Sequence, residues 1–118
     1  MKIRLYGYPK CSTCIKAQKF LKQRGLPFQV IDITAQPPSK TELTAMLAQL
    51  GVQLQGLFNT SGQVYRDMNL KEQLARLSTE EALELLGSNG KLIKRPILLI
   101  DDAPVAVGFN ETKWSTFL

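Results

Sequence analysis

At 118 residues, with 44% hydrophobic and 21% charged side chains, the chain is long enough for one domain with a real core. It holds no run of about eighteen apolar residues, so nothing in it reads as a membrane span. It has no histidine, which removes Ser-His-Asp and Cys-His nucleophile pairs, and its net charge is +5.

Taken in chain order, Ile3-Arg4-Leu5-Tyr6-Gly7-Tyr8 alternates apolar and polar side chains and then meets Pro9, which predicts a strand running into a turn. Cys14, Ala17 and Leu21 recur at helical spacing with Phe20 beside them, while Lys16, Lys19 and Lys22 form the solvated side. Gly25 and Pro27 close that helix. Phe28–Ile33 is a second strand, so the first 33 residues make a βαβ unit with parallel strands. Gln36-Pro37-Pro38 breaks the chain, and Ser39-Lys40-Thr41-Glu42 has the capping-box spacing. The helix it opens shows Leu43, Met46, Leu47 and Leu50 on one face and stops at Gly51. Val52 to Met68 reads as irregular, with short helical turns around Leu54–Phe58 and a loop at Asn59-Thr60-Ser61-Gly62. Asn69 to Leu77 reads as helical. Ser78-Thr79-Glu80-Glu81 repeats the capping box before Ala82, Leu83, Leu85 and Leu86, with Gly87 as the expected stop.

Arg95-Pro96-Ile97-Leu98-Leu99-Ile100 is apolar enough for a buried strand. Asp101-Asp102-Ala103-Pro104 is a turn, and Val105–Gly108 returns as a hairpin strand. Glu111–Phe117 forms a last helix expected to dock Trp114 and Phe117. The expected organisation is a single α/β domain: 1–35 βαβ, 39–90 a helical insertion, and 94–118 ββα. Pro96 cannot sit inside a ladder without losing a hydrogen bond. Either a cis Arg95–Pro96 bond turns the chain into the strand, or a trans proline merely starts it.

The chemistry concentrates in Cys11-Ser12-Thr13-Cys14, which holds both cysteines. Cys11 falls at the predicted helix start, where unpaired backbone N–H groups and the dipole favour an anion. A thiolate is such an anion. Free cysteine is only a few per cent thiolate at neutral pH, and helix starts in Cys-x-x-Cys motifs lower its pKa from about 8.5 to roughly 3.5–7.5. Cys14, one turn on, is placed to attack a mixed disulfide formed on Cys11. Three blander readings stand beside this one. A structural disulfide would close too short a loop to stabilise much. A structural zinc wants four ligands, and only a site shared between two copies of the chain would supply them. Inert, buried cysteines are the third. Thiol chemistry without a metal is the expectation.

Lys2, Arg4, Lys10, Lys16, Lys19, Lys22 and Arg24 all precede the first acid, Asp32, so the first 31 residues carry +7 and the rest hold eight bases against ten acids. That field surrounds the cysteines and favours anionic partners such as glutathione or an oxyanion, with Lys10 nearest in sequence. Aromatic residues are not interleaved with the bases, so direct nucleic-acid binding is not expected. Met1-Lys2-Ile3-Arg4 leads straight into a strand without a secretory segment, from which a cytoplasmic location is expected. Thiols stay reduced there, which favours a catalytic or sensing pair over a structural bridge.

Tyr8-Pro9-Lys10-Cys11-Ser12-Thr13-Cys14, Lys94-Arg95-Pro96-Ile97 and Val107-Gly108-Phe109-Asn110-Glu111 together resemble the arsenate reductase and Spx family of thioredoxin-like proteins, over essentially the whole chain. The resemblance implies a mixed four-stranded sheet with a helical insertion. It also implies Cys11 as nucleophile and Arg95, ahead of a cis Pro96, as charge partner of a bound anion or thiolate. Arsenate reductases of this fold cradle the oxyanion with three arginines. Here Arg95 matches one, while Leu57-Phe58-Asn59 and Val107-Gly108-Phe109 offer no guanidinium at the other two places. The resemblance therefore implies a thiol–disulfide oxidoreductase with Cys14 resolving and glutathione, thioredoxin or glutaredoxin as electron donor. The alternative is an Spx-like redox switch that binds the C-terminal domain of the RNA polymerase α-subunit. A monomer is the expected state.

Overall fold

The computed structural model describes residues 1–51 and 53–118. Val52, the first residue of the stretch read as irregular, lies outside them. The chain divides into two compact units, one built from Met1–Asp32 with Arg95–Leu118 and the other from Ile33–Lys94.

The first unit is a mixed sheet of β1 (Ile3–Gly7), β2 (Gln29–Asp32), β3 (Ile97–Ile100) and β4 (Ala103–Val107). Its strand order is β2-β1-β3-β4. β1 runs parallel to β2, as the βαβ reading requires, and antiparallel to β3 with Tyr6 opposite Ile97 and Ile3 opposite Ile100. α1 (Ser12–Gln23) buries Cys14, Ala17, Phe20 and Leu21, the stripe predicted from its spacing, and Gly25 follows its C-cap with φ +68°. Ala17, Phe20 and Leu21 pack with Ile3, Leu5, Leu98, Ala106 and Trp114. Trp114, on α6 (Glu111–Phe117), is fully buried; Phe20 and Phe109 meet its ring edge-on, and its Nε1 donates to the Gly108 carbonyl at 3.1 Å.

Two expectations in this unit need correcting. Phe117 does not dock: it remains exposed, and Leu118 packs against the core instead. Trp114 is the aromatic residue of this helix that joins Phe20 and Phe109, which also meet each other edge-on. The hairpin turn is also shorter than read. Asp101 and Asp102 alone turn the chain, at φ 49° and 69°, and β4 already begins at Ala103 with Pro104 opposite Leu99. β4 is an edge strand, so a proline there need not cost a ladder hydrogen bond, and the register shifts beside it. Pro96 is buried just before β3, its peptide bond with Arg95 is cis, and its carbonyl accepts from Gly108 N–H at 2.7 Å.

The second unit holds α2 (Lys40–Leu50), α3 (Gln63–Asp67), α4 (Leu70–Gln73) and α5 (Thr79–Ser88), with single 3-10 turns at Leu54–Leu57, Leu74–Arg76 and Gly90–Leu92. Both capping boxes form: the Ser39 and Ser78 hydroxyls accept from Glu42 and Glu81 N–H at 3.1 Å, and both glutamates reach back. A cap of this kind is worth about 1 kcal/mol. Lys40 joins α2 to α5 through Glu80 at 2.7 Å and Glu84 at 3.3 Å. Gly87 does not stop α5, which runs on to Ser88 with Asn89 as its cap. Nor is Gln63–Asp67 irregular. It is a helix of five residues whose Gly62 N-cap gives no side-chain hydrogen bond, held by burial of Tyr65 near Phe58. This unit extends to 33–94, beyond the predicted 39–90, because its ends are tied in. Asn59 N–H donates to the Leu92 carbonyl and Lys94 N–H to the Leu57 carbonyl, both at 2.7 Å, and Gly90 packs on the Ile33 backbone. Among the described residues no helix is long and apolar enough to cross a membrane.

Candidate active site

The cysteine pair lies where β1 hands over to α1. Tyr8-Pro9-Lys10-Cys11 is a turn closed by Cys11 N–H donating to the Tyr8 carbonyl at 3.0 Å, with Pro9 pre-set for its first corner. Cys11 is the N-cap of α1 in extended backbone (φ −87°, ψ 113°), and its Sγ accepts from Cys14 N–H at 3.3 Å. Sulfur thus occupies the place where serine or aspartate ordinarily satisfies a helix's first amides. No acidic residue stands in the first turn of α1 to compete with it.

The two sulfurs meet opposite environments. Cys11 is half-exposed, and both thiols are free. Partial burial opposes its thiolate, but hydrogen bonds from the Cys14 side chain and backbone and from the Arg95 side chain, with the Arg95 charge, outweigh that and hold its pKa below the ordinary thiol range. Cys14 is 1% exposed. Burial, then its hydrogen bond with Cys11 and the charge there, pushes its pKa up to about 12. The Tyr8 backbone N–H and the Arg95 charge pull the other way and are outweighed. Of the two sulfurs, Cys11 is therefore the one whose thiolate is favoured, and Cys14 the one held protonated.

Arg95 comes from the far end of the chain through the β1–β3 pairing. Its half-buried guanidinium hydrogen bonds to Cys11 and lies over the Tyr8 ring, Cζ to centroid 5.1 Å. Cys11, Cys14, Arg95 and buried Pro96 are thus gathered at one end of the sheet. Pro9 and Lys10 are exposed in the turn, and the groups that favour the Cys11 thiolate are Cys14 and Arg95 rather than Lys10. Sequence reasoning gave Tyr8 no role. The available signal was an aromatic residue three places before the candidate nucleophile. Among the described residues no cluster of three or more His, Cys, Asp or Glu could hold a metal.

A sequence model of the ArsC family matches residues 6–117. The Bacillus subtilis protein named "Uncharacterized protein YusI" is 50% identical over 97% of this chain and 96% of its own. The "Global transcriptional regulator Spx" of Enterococcus faecalis is 33% identical over 98% of this chain and 86% of its own. A crystal structure described as a possible arsenate reductase from Streptococcus mutans superposes with a TM-score of 0.85 at 42% identity, covering 92% of this chain and 91% of its own.

Proposed function

Starting from the fact that the chain belongs to the ArsC family, we propose that it is a thiol–disulfide oxidoreductase in which Cys11 attacks and Cys14 resolves. One observation carries the reading: a half-exposed Cys11 sulfur that accepts the Cys14 N–H at 3.3 Å and faces the Arg95 guanidinium. In the first step the Cys11 thiolate forms a bond to one sulfur of a substrate disulfide; the other sulfur leaves as thiolate and takes a proton from water. The Cys11 sulfur is then neutral. Its charge and hydrogen bond no longer hold the Cys14 proton, while the Arg95 charge still favours a thiolate there. Cys14 then loses its proton and attacks Cys11, releasing the second substrate thiol and leaving a Cys11–Cys14 disulfide. Two electrons have passed to the substrate. A dithiol donor of the thioredoxin or glutaredoxin class, or two glutathiones, restores the pair.

Reduction of arsenate fits this chain less well. Family resemblance expects three arginines on the oxyanion, and residues 57–59 and 107–109 supply none. Two lost charge-assisted contacts cost roughly two to four powers of ten in binding. The expected experiment uses oxidised glutathione. Cys14→Ser should accumulate a stable glutathione adduct on Cys11, visible in the intact mass, while the wild-type protein resolves it and Cys11→Ser forms none. Undiminished disulfide reduction by Cys11→Ser would overturn the assignment.

A second reading rests on the 33% identity to a global transcriptional regulator across nearly the whole chain. On it, the same disulfide is a switch governing binding to the α-subunit of RNA polymerase. A pull-down with that polymerase component should then differ between reduced and oxidised protein. Capture in neither state removes this reading.

A further inference from the structure

We propose that Tyr8 is the positioning residue that aims Arg95 at Cys11, a role that rests on the reading of Cys11 as the reactive thiolate. β1 and β3 pair antiparallel with Leu5 opposite Leu98 and Tyr6 opposite Ile97. Tyr8 and Arg95 each lie two residues beyond the Tyr6–Ile97 pair, so the pairing brings both to the same end of the sheet. The guanidinium carbon lies 5.1 Å from the Tyr8 ring centroid, within the roughly 6 Å reach of a cation–π contact.

The same residue holds both cysteines through its backbone. Its carbonyl accepts from Cys11 N–H at 3.0 Å, and its N–H faces the Cys14 sulfur. Tyr8 therefore touches all three members of the site. The division of labour follows from the chemistry. Backbone contacts are available to any residue at this position, so the part that needs an aromatic ring is the seat for Arg95. A long, half-buried arginine side chain has many rotamers, and a π face selects those that keep the guanidinium plane near the thiolate.

The experiment titrates Cys11 by its rate of alkylation with iodoacetamide against pH, with the modified residue located by mass spectrometry. Tyr8→Phe keeps the ring and should leave the Cys11 pKa in place. Tyr8→Leu and Tyr8→Met keep bulk and backbone but remove the π face. They should raise the pKa and slow alkylation below the wild-type pKa by about threefold to tenfold. Having two such variants guards against misfolding of either one, checked by circular dichroism. Arg95→Gln should raise the pKa at least as far, and the Tyr8→Leu/Arg95→Gln pair should be no worse than Arg95→Gln alone, since Tyr8 acts through Arg95. If Arg95→Gln raises the pKa while Tyr8→Leu and Tyr8→Met leave it unchanged or lower it, the positioning role is wrong and the thiolate site stands. If Arg95→Gln itself leaves the pKa unchanged, the reading of the site fails and the role of Tyr8 falls with it.

Discussion

Gly90→Ala is expected to lose about 3 kcal/mol or more of stability, a large share of the roughly 5–15 kcal/mol a domain of this size has. Gly90 is buried. A Cβ added there would lie 1.8 Å from the Ile33 carbonyl oxygen and 2.6 Å from its carbon, with the Thr34 Cα at 3.1 Å. All three atoms are backbone, so no rotamer change relieves the overlap. One of the two chain segments must move, and the 3-10 turn at Gly90–Leu92 is held by Leu92 N–H on the Asn89 carbonyl and Asn59 N–H on the Leu92 carbonyl. Gly87→Ala is the matched control. A Cβ there meets nothing closer than 3.7 Å, and the position is inside α5, so alanine should be neutral or stabilise by about 0.5–1 kcal/mol. Urea unfolding of the two variants beside wild type measures both. Equal midpoints for Gly90→Ala and wild type would refute this packing of Gly90 on the Ile33 backbone.

The second large effect lies in the alkaline stability of the reduced protein. Cys14 has its pKa pushed up to about 12 in the folded state by burial and by Cys11. An unfolded chain returns it to about 8.5. Between those values the folded state binds one more proton than the unfolded state, so unfolding free energy falls as pH rises. The slope is about 1.4 kcal/mol per pH unit from this thiol alone. Cys11 works in the opposite sense and at lower pH. Its folded pKa lies below the ordinary value, so it adds stability above the unfolded pKa that is lost as pH falls through the folded one. Unfolding by urea with a phosphine reductant, at pH 8 and at pH 10.5, should show wild type losing more stability than Cys14→Ala. Cys14→Ala will be the less stable at pH 8 because it loses a buried side chain, and the gap should narrow or reverse at pH 10.5. Parallel losses in the two proteins would mean that the Cys14 sulfur is not held protonated by the fold.

Much of this architecture is legible along the chain because its causes act within a turn or two. Ser39 and Ser78 sit three residues before glutamates, and both boxes form. Cys14, Ala17, Phe20 and Leu21 recur at helical spacing and are the residues α1 buries. Local signals fail where neighbours decide. Gly87 looked like a stop, but α5 is held beyond it, and a glycine without positive φ need not end a helix. Gln63–Asp67 has no capping signal and owes its helix to a buried tyrosine. Pro104 looked like part of a turn, yet an edge strand tolerates it.

The candidate site divides along the same line. Cys11 at a helix start, with Cys14 one turn on, could be read from spacing alone, since backbone amides at a helix N-terminus attract an anion in any fold. How strongly the fold separates the two sulfurs could not. That follows from the near-complete burial of Cys14 and from an arginine more than eighty residues away in the chain. The β1–β3 register, with Tyr6 opposite Ile97, is what carries Arg95 to Tyr8 and Cys11. Helix caps and apolar stripes are short-range preferences that each segment expresses by itself, whereas strand pairing and burial exist only once distant segments have closed on one another.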